Sequence, residues 1–281
     1  MYSEGTKRYV ASEFAKGDCI VAFLDILGFE ELVQTSVYSK DPLAKKRMIE
    51  TIKSALKDAL KNIETGENKD LNLIKYKVFS DCTCLATPSF HNRDNEASNL
   101  CTLITMIKGY TFNLIRRNIY IRGGISRGYH YEDNYMIFSD GLVKAHNLEN
   151  KEALYPRTIL DEDLVQRFKR LWINQKDAIL EFNVQTRLIT DEEGITFVSP
   201  FNLMQSMDKQ TLVDTSAPRS KKDLIKIDNN FNREILKDVE EKIIKYKDNE
   251  RVLPKYEWLK EFINWNIKPK SSKYKFEYLL K

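Results

Sequence analysis

Cysteine and histidine are scarce in this 281-residue chain, with four of the first and three of the second. Cys19, Cys82, Cys84 and Cys101 form no Cys-x-x-Cys pair, and Cys82-x-Cys84 has no histidine pair near it. Structural zinc needs four such ligands at short spacings, so the pattern argues against that site class. The thiols read as reduced structural residues of a cytosolic protein. His91, His130 and His146 show no ligand spacing, so none is assigned to metal or catalysis. An excess of one charge is also missing: 45 Lys and Arg stand against 41 Asp and Glu, a net charge of +4. A nucleic-acid footprint would need its basic residues clustered, and in the one basic run, LIRRNIYIR (114–122), Arg116 and Arg117 read as the exposed end of a helix. No nucleic-acid partner is expected. The first residues, Met1 to Lys16, have no apolar core of signal-peptide length, and no stretch approaches the roughly 18 apolar residues of a membrane span. A cytoplasmic protein without a membrane partner is expected. Internal repeats and low-complexity tracts are absent too.

What is present is a core. Hydrophobic residues make up 42% of the chain, and 14 Phe, 14 Tyr and 3 Trp are too many for a solvated chain, so global disorder is excluded. Cys19–Leu24 (CIVAFL) reads as a buried strand ending at Asp25. Gly28 then precedes a helix, FEELVQTSV, and Asp41-Pro42 opens a second, with Pro42 in its first turn. Leu73–Phe79 and Cys82–Thr87 read as a hairpin closed by Ser80-Asp81. Asp94–Asn118 reads as a long helix, and Tyr120–Tyr131 as a strand. Gly123-Gly124 inside that strand marks either a bulge or something lying close on the backbone. A helix over 140–153, a short strand at 157–160 and a helix over 161–171 follow. Strands are expected at 178–182 and 195–198, a linker or flap at about 207–228, and two helices from Asn229 onward, separated at Pro254.

The order over the first 160 residues, β-α-α-β-β-α-β-α-β, predicts an α+β fold with a ferredoxin-like antiparallel sheet, helices on one face, and a C-terminal helical extension. Residues 1–18 are read as an N-terminal segment, 19–205 as the main domain and 206–281 as linker and C-terminal helices.

Asp25 and Asp81 carry the chemistry. Either carboxylate alone would be an ordinary turn or cap residue. Together, one ends a strand and the other sits on the adjacent hairpin, so they could hold two divalent ions that clamp the attacking and leaving oxygens of a phosphoryl displacement. Ile26-Leu27-Gly28-Phe29 leads from strand to helix, a start that presents backbone N–H groups to a phosphate.

FLDILGF (23–29), FSD (79–81) and IRGGISRG (121–128) resemble the landmark motifs of class III nucleotidyl cyclases. The closer resemblance is to the bacterial Pycsar pyrimidine cyclases, carried also by Ala145-His146-Asn147-Leu148-Glu149, Tyr155-Pro156-Arg157 and KYEWLKEFIN (255–264). It covers residues 19 to 160 well and the C-terminal helix loosely. The resemblance implies cyclisation of UTP or CTP to the 3′,5′-cyclic monophosphate and pyrophosphate during phage infection, with the product activating a separate effector. It implies two Mn²⁺ or Mg²⁺ ions on Asp25, Asp81 and the carbonyl of Ile26, nucleotide contacts from Gly28 and Phe29, and a head-to-tail homodimer with active sites at the interface.

The chain departs from the purine enzymes where they carry a transition-state Asn and Arg, at Val143 and Asn147, and where they carry a purine-selecting Asp, near Met136. This argues against cAMP or cGMP synthesis and leaves the transition-state cation unassigned. Lys77 stands in the place of a base-reading lysine, and its donor-only ammonium suits uracil O4, so UTP is favoured over CTP; a solvated strand lysine is the alternative. Arg122 either meets phosphate or pairs with a core carboxylate. A non-catalytic nucleotide-sensing dimer remains a second reading. A palm-type polymerase or diguanylate cyclase is a third, weakened by the absence of a Gly-Gly-Asp-Glu-Phe hairpin.

Overall fold

The computed structural model describes residues 17–64, 74–89, 93–176, 179, 187–201 and 220–280. Strand β1 (Gly17–Ile26) is buried along nearly its whole length, as its unbroken apolar run predicts for a central strand. Helices α1 (Phe29–Val37) and α2 (Ala44–Glu64) follow, then the hairpin β2 (Lys75–Phe79) and β3 (Cys82–Pro88), helix α3 (Arg93–Ile115), β4 (Ile121–Glu132) and β5 (Ile137–Ser139). Helix α4 (Asp140–Lys151) crosses over to β6 (Thr158–Leu160), and α5 (Glu162–Asn174) leads towards β7 (Leu188–Asp191) and β8 (Thr196–Val198). The chain closes with α6 (Lys221–Lys245), α7 (Leu253–Ile267) and β9 (Phe276–Tyr278).

Among the described residues, nine strands join one sheet of order β2-β3-β1-β4-β6-β8-β7-β9, with β5 paired to β4. Every pairing is antiparallel except β4 with β6, which the α4 crossover makes parallel. The α+β class and the largely antiparallel sheet are thus as expected. Alternation along β1 divides its side chains between two layers. Ile20, Ala22, Leu24 and Ile26 enter the core built with α3 and α5, against which Phe29 of α1 and Ile52 of α2 also pack. Cys19 and Val21 face the other way, towards Leu142 of α4. That second face is therefore covered as well: by α4 over β1 and β4, and by α6 and α7, whose Ile235, Tyr256, Trp258 and Phe262 pack on Ile159, Ile189 and Phe197 of β6, β7 and β8.

Several elements differ from expectation. Of the strand expected at 178–182 only Ile179 lies within the described residues, and its N–H donates to the Gln175 carbonyl (3.2 Å), a helical bond. The partner of β8 is instead β7, joined to it by a turn in which Gly194 takes φ +83°. Helix α6 begins at Lys221 rather than 229, started by a capping box between Ser220 and Asp223. The rest of the expected linker lies outside the described residues. The C-terminal strand β9 pairs with β7, so the chain's end is woven into the same sheet.

Gly123-Gly124 marks a close approach and no bulge. A Cβ on Gly124 would strike the Ala145 carbonyl oxygen and lie 2.7 Å from Leu148 Cβ, and one on Gly128 would lie 2.5 Å from Asp140 Oδ1. The backbone of α4 therefore rests directly on β4. Gly124→Ala should cost about 1–3 kcal/mol, because the obstruction is backbone and cannot swing aside. Urea unfolding of the variant measures it, and a loss under 0.5 kcal/mol would refute the account on roughly the scale of a neutral surface change.

Candidate active site

The two marked carboxylates meet at one end of the sheet. Asp25 stands next to last in β1, opposite Cys82 on β3 and Arg122 on β4. Asp81 occupies the β2–β3 turn, whose first residue, Ser80, takes φ 59°. The Ile26 N–H donates to the Asp81 carbonyl (3.2 Å), tying the turn to the strand end. As a result, one ligand atom each from Asp25, Asp81 and Cys82 lies within 4.8 Å of the others. Cys82 Sγ sits 3.7 Å from Asp25 Oδ1 and 3.8 Å from Asp81 Oδ1.

Burial pushes the Asp25 carboxyl above its usual range; Arg122 works against this and Asp81 adds to it. Cys82 is pushed up to about 12 by burial first and by Asp81 and Asp25 next, so it stays a thiol at neutral pH. The donors ready for a cation are thus the two carboxylates, which suit a hard divalent ion such as Mg²⁺ or Mn²⁺. The arrangement fits the expected metal.

Gly28 caps α1 at φ 74° and ψ 24°, and a Cβ there would meet nothing within 4 Å. Its left-handed backbone is what requires glycine. No side chain caps the helix, so its first-turn N–H groups open beside the strand end, while Phe29 tucks half-buried into the core. Two acids, Glu30 and Glu31, stand in that turn and would oppose an anion there. Glu31 accepts from Lys245 Nζ (2.8 Å) and Tyr246 Oη (2.6 Å), which hold its carboxyl below the usual range, and the ammonium offsets its charge.

Arg122 shows the second of its two expected arrangements. Its Nε lies 2.6 Å from Glu149 Oε1 and 3.5 Å from Asp25 Oδ2. Glu149 has only 4% of its side chain exposed, and burial raises its carboxyl, with Arg122 opposing and Asp25 adding. Lys77 is engaged elsewhere: its ammonium lies 3.9 Å from Glu132 Oε1 at the end of β4 and donates to the Asp133 carbonyl (2.5 Å) in the β4–β5 connection. Met136 stands in that same connection, half-exposed. Val143 and Asn147 lie on the outward face of α4, and Val143 is 60% exposed.

Glu149 is the site residue that the sequence reading passed over. Its signal was the spacing Gly141, Ala145, Glu149, four residues apart, which are the buried positions of α4. An acid on the buried stripe of a helix needs a partner.

No protein-family model matches the sequence, and no curated protein matches it. Among solved structures, the chain is similar to the monomeric guanylyl cyclase domain of the RhoGC fusion protein from the aquatic fungus Blastocladiella emersonii. Identity is 14% and the TM-score 0.37, over 64% of this chain and 92% of that one. It is similar also to a class III adenylyl cyclase-like ATP-binding protein from Pseudomonas aeruginosa, at 9% identity and TM-score 0.38 over 54% of this chain and 34% of that one. A third is the catalytic core of a rhodopsin-guanylyl cyclase with converted specificity in complex with ATPαS, at 13% identity and TM-score 0.36 over 66% and 97%. The chemical reading rests on the residues of the site itself.

Because burial raises Asp25 in the folded chain, its charged form costs stability. The stability tied to its protonated form is complete below the unfolded carboxylate pKa and lost as pH rises through the folded one. Asp25→Asn should therefore raise the melting temperature of chelator-treated protein at neutral pH, with the gain shrinking as pH falls through the carboxylate range. Added Mn²⁺ should stabilise wild type and leave the variant unmoved. Equal Mn²⁺ stabilisation of both proteins would remove Asp25 from the metal site.

Proposed function

We propose that this chain is a nucleotidyl cyclase that takes a pyrimidine nucleoside triphosphate, UTP in preference to CTP, and releases the 3′,5′-cyclic monophosphate and pyrophosphate. The observation that carries the reading is the Asp25/Asp81 pair held within 4.8 Å beside the uncapped, glycine-started helix α1. Asp25 and Asp81 would hold the divalent ions, with the Ile26 backbone beside them. Bound there, the ions would supply charge for the triphosphate and a lowered pKa for the ribose 3′-hydroxyl. The first turn of α1 would receive phosphate oxygens, and Arg122 with Glu149 would keep Asp25 aimed into the site.

The pyrimidine preference and a role in anti-phage signalling to a separate effector rest on the resemblance of DILGF, RGGIS and the Tyr-Pro-Arg segment. Assembly of a homodimer gains support from the apolar side chains left open around the hairpin and the β4–β5 connection. Val78, Phe79, Tyr135, Met136 and Phe138 are all more than a third exposed. Among the described residues no helix is long and apolar enough to cross a membrane, and a cytoplasmic setting is part of the same proposal. The outward placement of Val143 and Asn147 favours one rival, a dimer that binds triphosphate without turning it over.

Incubating the protein with each of the four nucleoside triphosphates and Mn²⁺, with products read by mass spectrometry, decides between them. Cyclic UMP is expected, with cyclic CMP as the lesser product. Asp25→Ala and Asp81→Ala should each lower the rate by about 10³-fold or more, on the scale of losing a charge-stabilising group at the reacting centre. Tight nucleotide binding with no product from any of the four would establish the sensing dimer instead.

A further inference from the structure

The cation that the sequence left unassigned has a candidate on helix α7, at Lys255 in the first turn, where the segment KYEWLKEFIN begins. Two clamps hold that helix end against the strand end. In the first, Arg157 and its buried ion-pair partner Asp191 sit under aromatic rings: Trp258 of α7 stacks on Tyr155 (centroids 5.0 Å apart, interplanar angle 2°), and the Arg157 guanidinium lies 5.1 Å from the Trp258 ring. In the second, Tyr256 stacks on Tyr246 (5.7 Å) and meets Tyr120 edge-on (5.8 Å). Tyr246 holds Glu31 of α1, and the Tyr120 carbonyl accepts the Leu27 N–H (2.8 Å) in the phosphate-ready turn. Helix α7 is thereby fixed beside the β1–α1 turn and not merely near it.

Lys255 stands half-buried in this clamped first turn. Its ammonium is close enough to the site to feel the charges of Arg122, Arg251, Glu149 and Asp25, and burial with the two guanidiniums holds its pKa below the usual lysine range. Arg251 lies four residues earlier, in the turn before the helix, its backbone fixed by the Asn249 side chain, which accepts from the Arg251 and Val252 N–H groups (3.2 and 3.1 Å). Among the described residues neither Lys255 nor Arg251 makes a side-chain hydrogen bond or a salt bridge. Glu149 is already taken by Arg122 at 2.6 Å. Lys255 thus stands half-buried near the carboxylates without an anion of its own and with a second cation, Arg251, beside it, at a cost in desolvation and mutual repulsion that a bound polyanion would offset.

We propose that Lys255 and Arg251 bind the phosphate chain of a nucleoside triphosphate, so that the site draws its phosphate-neutralising charge from the chain's own C-terminal helix rather than from α4. This rests on reading the site as one that takes triphosphates.

The test uses inorganic tripolyphosphate with Mn²⁺, titrated calorimetrically into wild type, Lys255→Ala, Lys255→Arg and Arg251→Ala, alongside KM and kcat for UTP. Lys255→Ala should weaken tripolyphosphate binding about tenfold or more and raise KM by a similar factor, the loss expected for one charge-assisted phosphate contact. Lys255→Arg should keep most of the affinity, since it restores charge without the original side-chain shape; a purely structural lysine would not show that rescue. Arg251 is exposed, so its alanine variant is expected to fold and to lose several-fold affinity, which keeps the test open if Lys255→Ala is unstable. Unchanged tripolyphosphate affinity in Lys255→Ala and Arg251→Ala overturns the proposal, even where UTP is cyclised normally. So does a wild type that binds no tripolyphosphate. Lys255-dependent tripolyphosphate binding in a protein that turns over no nucleotide would uphold these residues as phosphate ligands and defeat the cyclase reading instead.

Discussion

The contact on which the site depends is that between the backbone of α4 and the bare backbone of β4. With no side chain at Gly124 or Gly128, the helix settles until its carbonyls and Cβ atoms touch the strand. That depth sets what α4 can deliver. It places Glu149, at the helix's far end, within ion-pair reach of Arg122 two residues before Gly124 on the same strand. Arg122 in turn reaches across the ladder to Asp25. Any side chain at Gly124 would lift the helix by the width of a methyl group or more, and a 2.6 Å ion pair does not survive such a shift. The RGGIS segment therefore matters as a seat for a helix, and through that helix it orients a carboxylate.

A second dependence runs through Arg157. A guanidinium almost wholly removed from water is tolerable only with its charge paired and its faces covered. Asp191 supplies the first; Tyr155, Phe197 and Trp258 supply the second. The partners come from four separate parts of the chain, so satisfying this one charge fastens α7 to the β6–β8–β7 half of the sheet. The Tyr-Pro-Arg segment and the C-terminal Lys-Tyr-Glu-Trp segment, about a hundred residues apart, are two sides of one packing arrangement. The same packing fixes the first turn of α7, in which Lys255 stands half-buried.

Much of this was legible in the residues. The apolar run of β1, the Ser80-Asp81 turn and the glycine before α1 are local signals, and they correctly bring Asp25 and Asp81 to one edge. Glu149 was not legible as a site residue, because a helix's phase against a sheet is a tertiary property. Its buried stripe becomes meaningful only once α4 is known to lie on β4. The start of α6 carried a local signal, Ser220 with Asp223, but it was submerged in a polar, lysine-rich stretch that reads as loop. Strands β7 and β9, of four and three residues, carry too little alternation to stand out, and sheet pairing alone defines them. Lys255 could not be reached from sequence at all, since its position depends on the Arg157 arrangement.

The charges around the strand end bear on the proposed ligand. Two carboxylates about 5 Å apart repel by about 3 kcal/mol at an effective dielectric constant near 20, so the site alone does not hold both comfortably ionised. Burial first, and Asp81 in the same direction, raise the Asp25 carboxyl against the pull of Arg122. On the other side stand Arg122, Lys255 and Arg251, of which only Arg122 has paired anions. A divalent cation alone would relieve the carboxylates and leave the lysine and arginine unpaired. A bare polyphosphate would do the reverse and meet Asp25 and Asp81 head-on. Only a ligand that brings both, cations chelated to a phosphate chain, satisfies the two halves together, and it does so without adding net charge to a half-buried place. On the proposed reading, a metal-triphosphate pair would therefore suit this distribution of charge better than either component, before any contact to the base is considered.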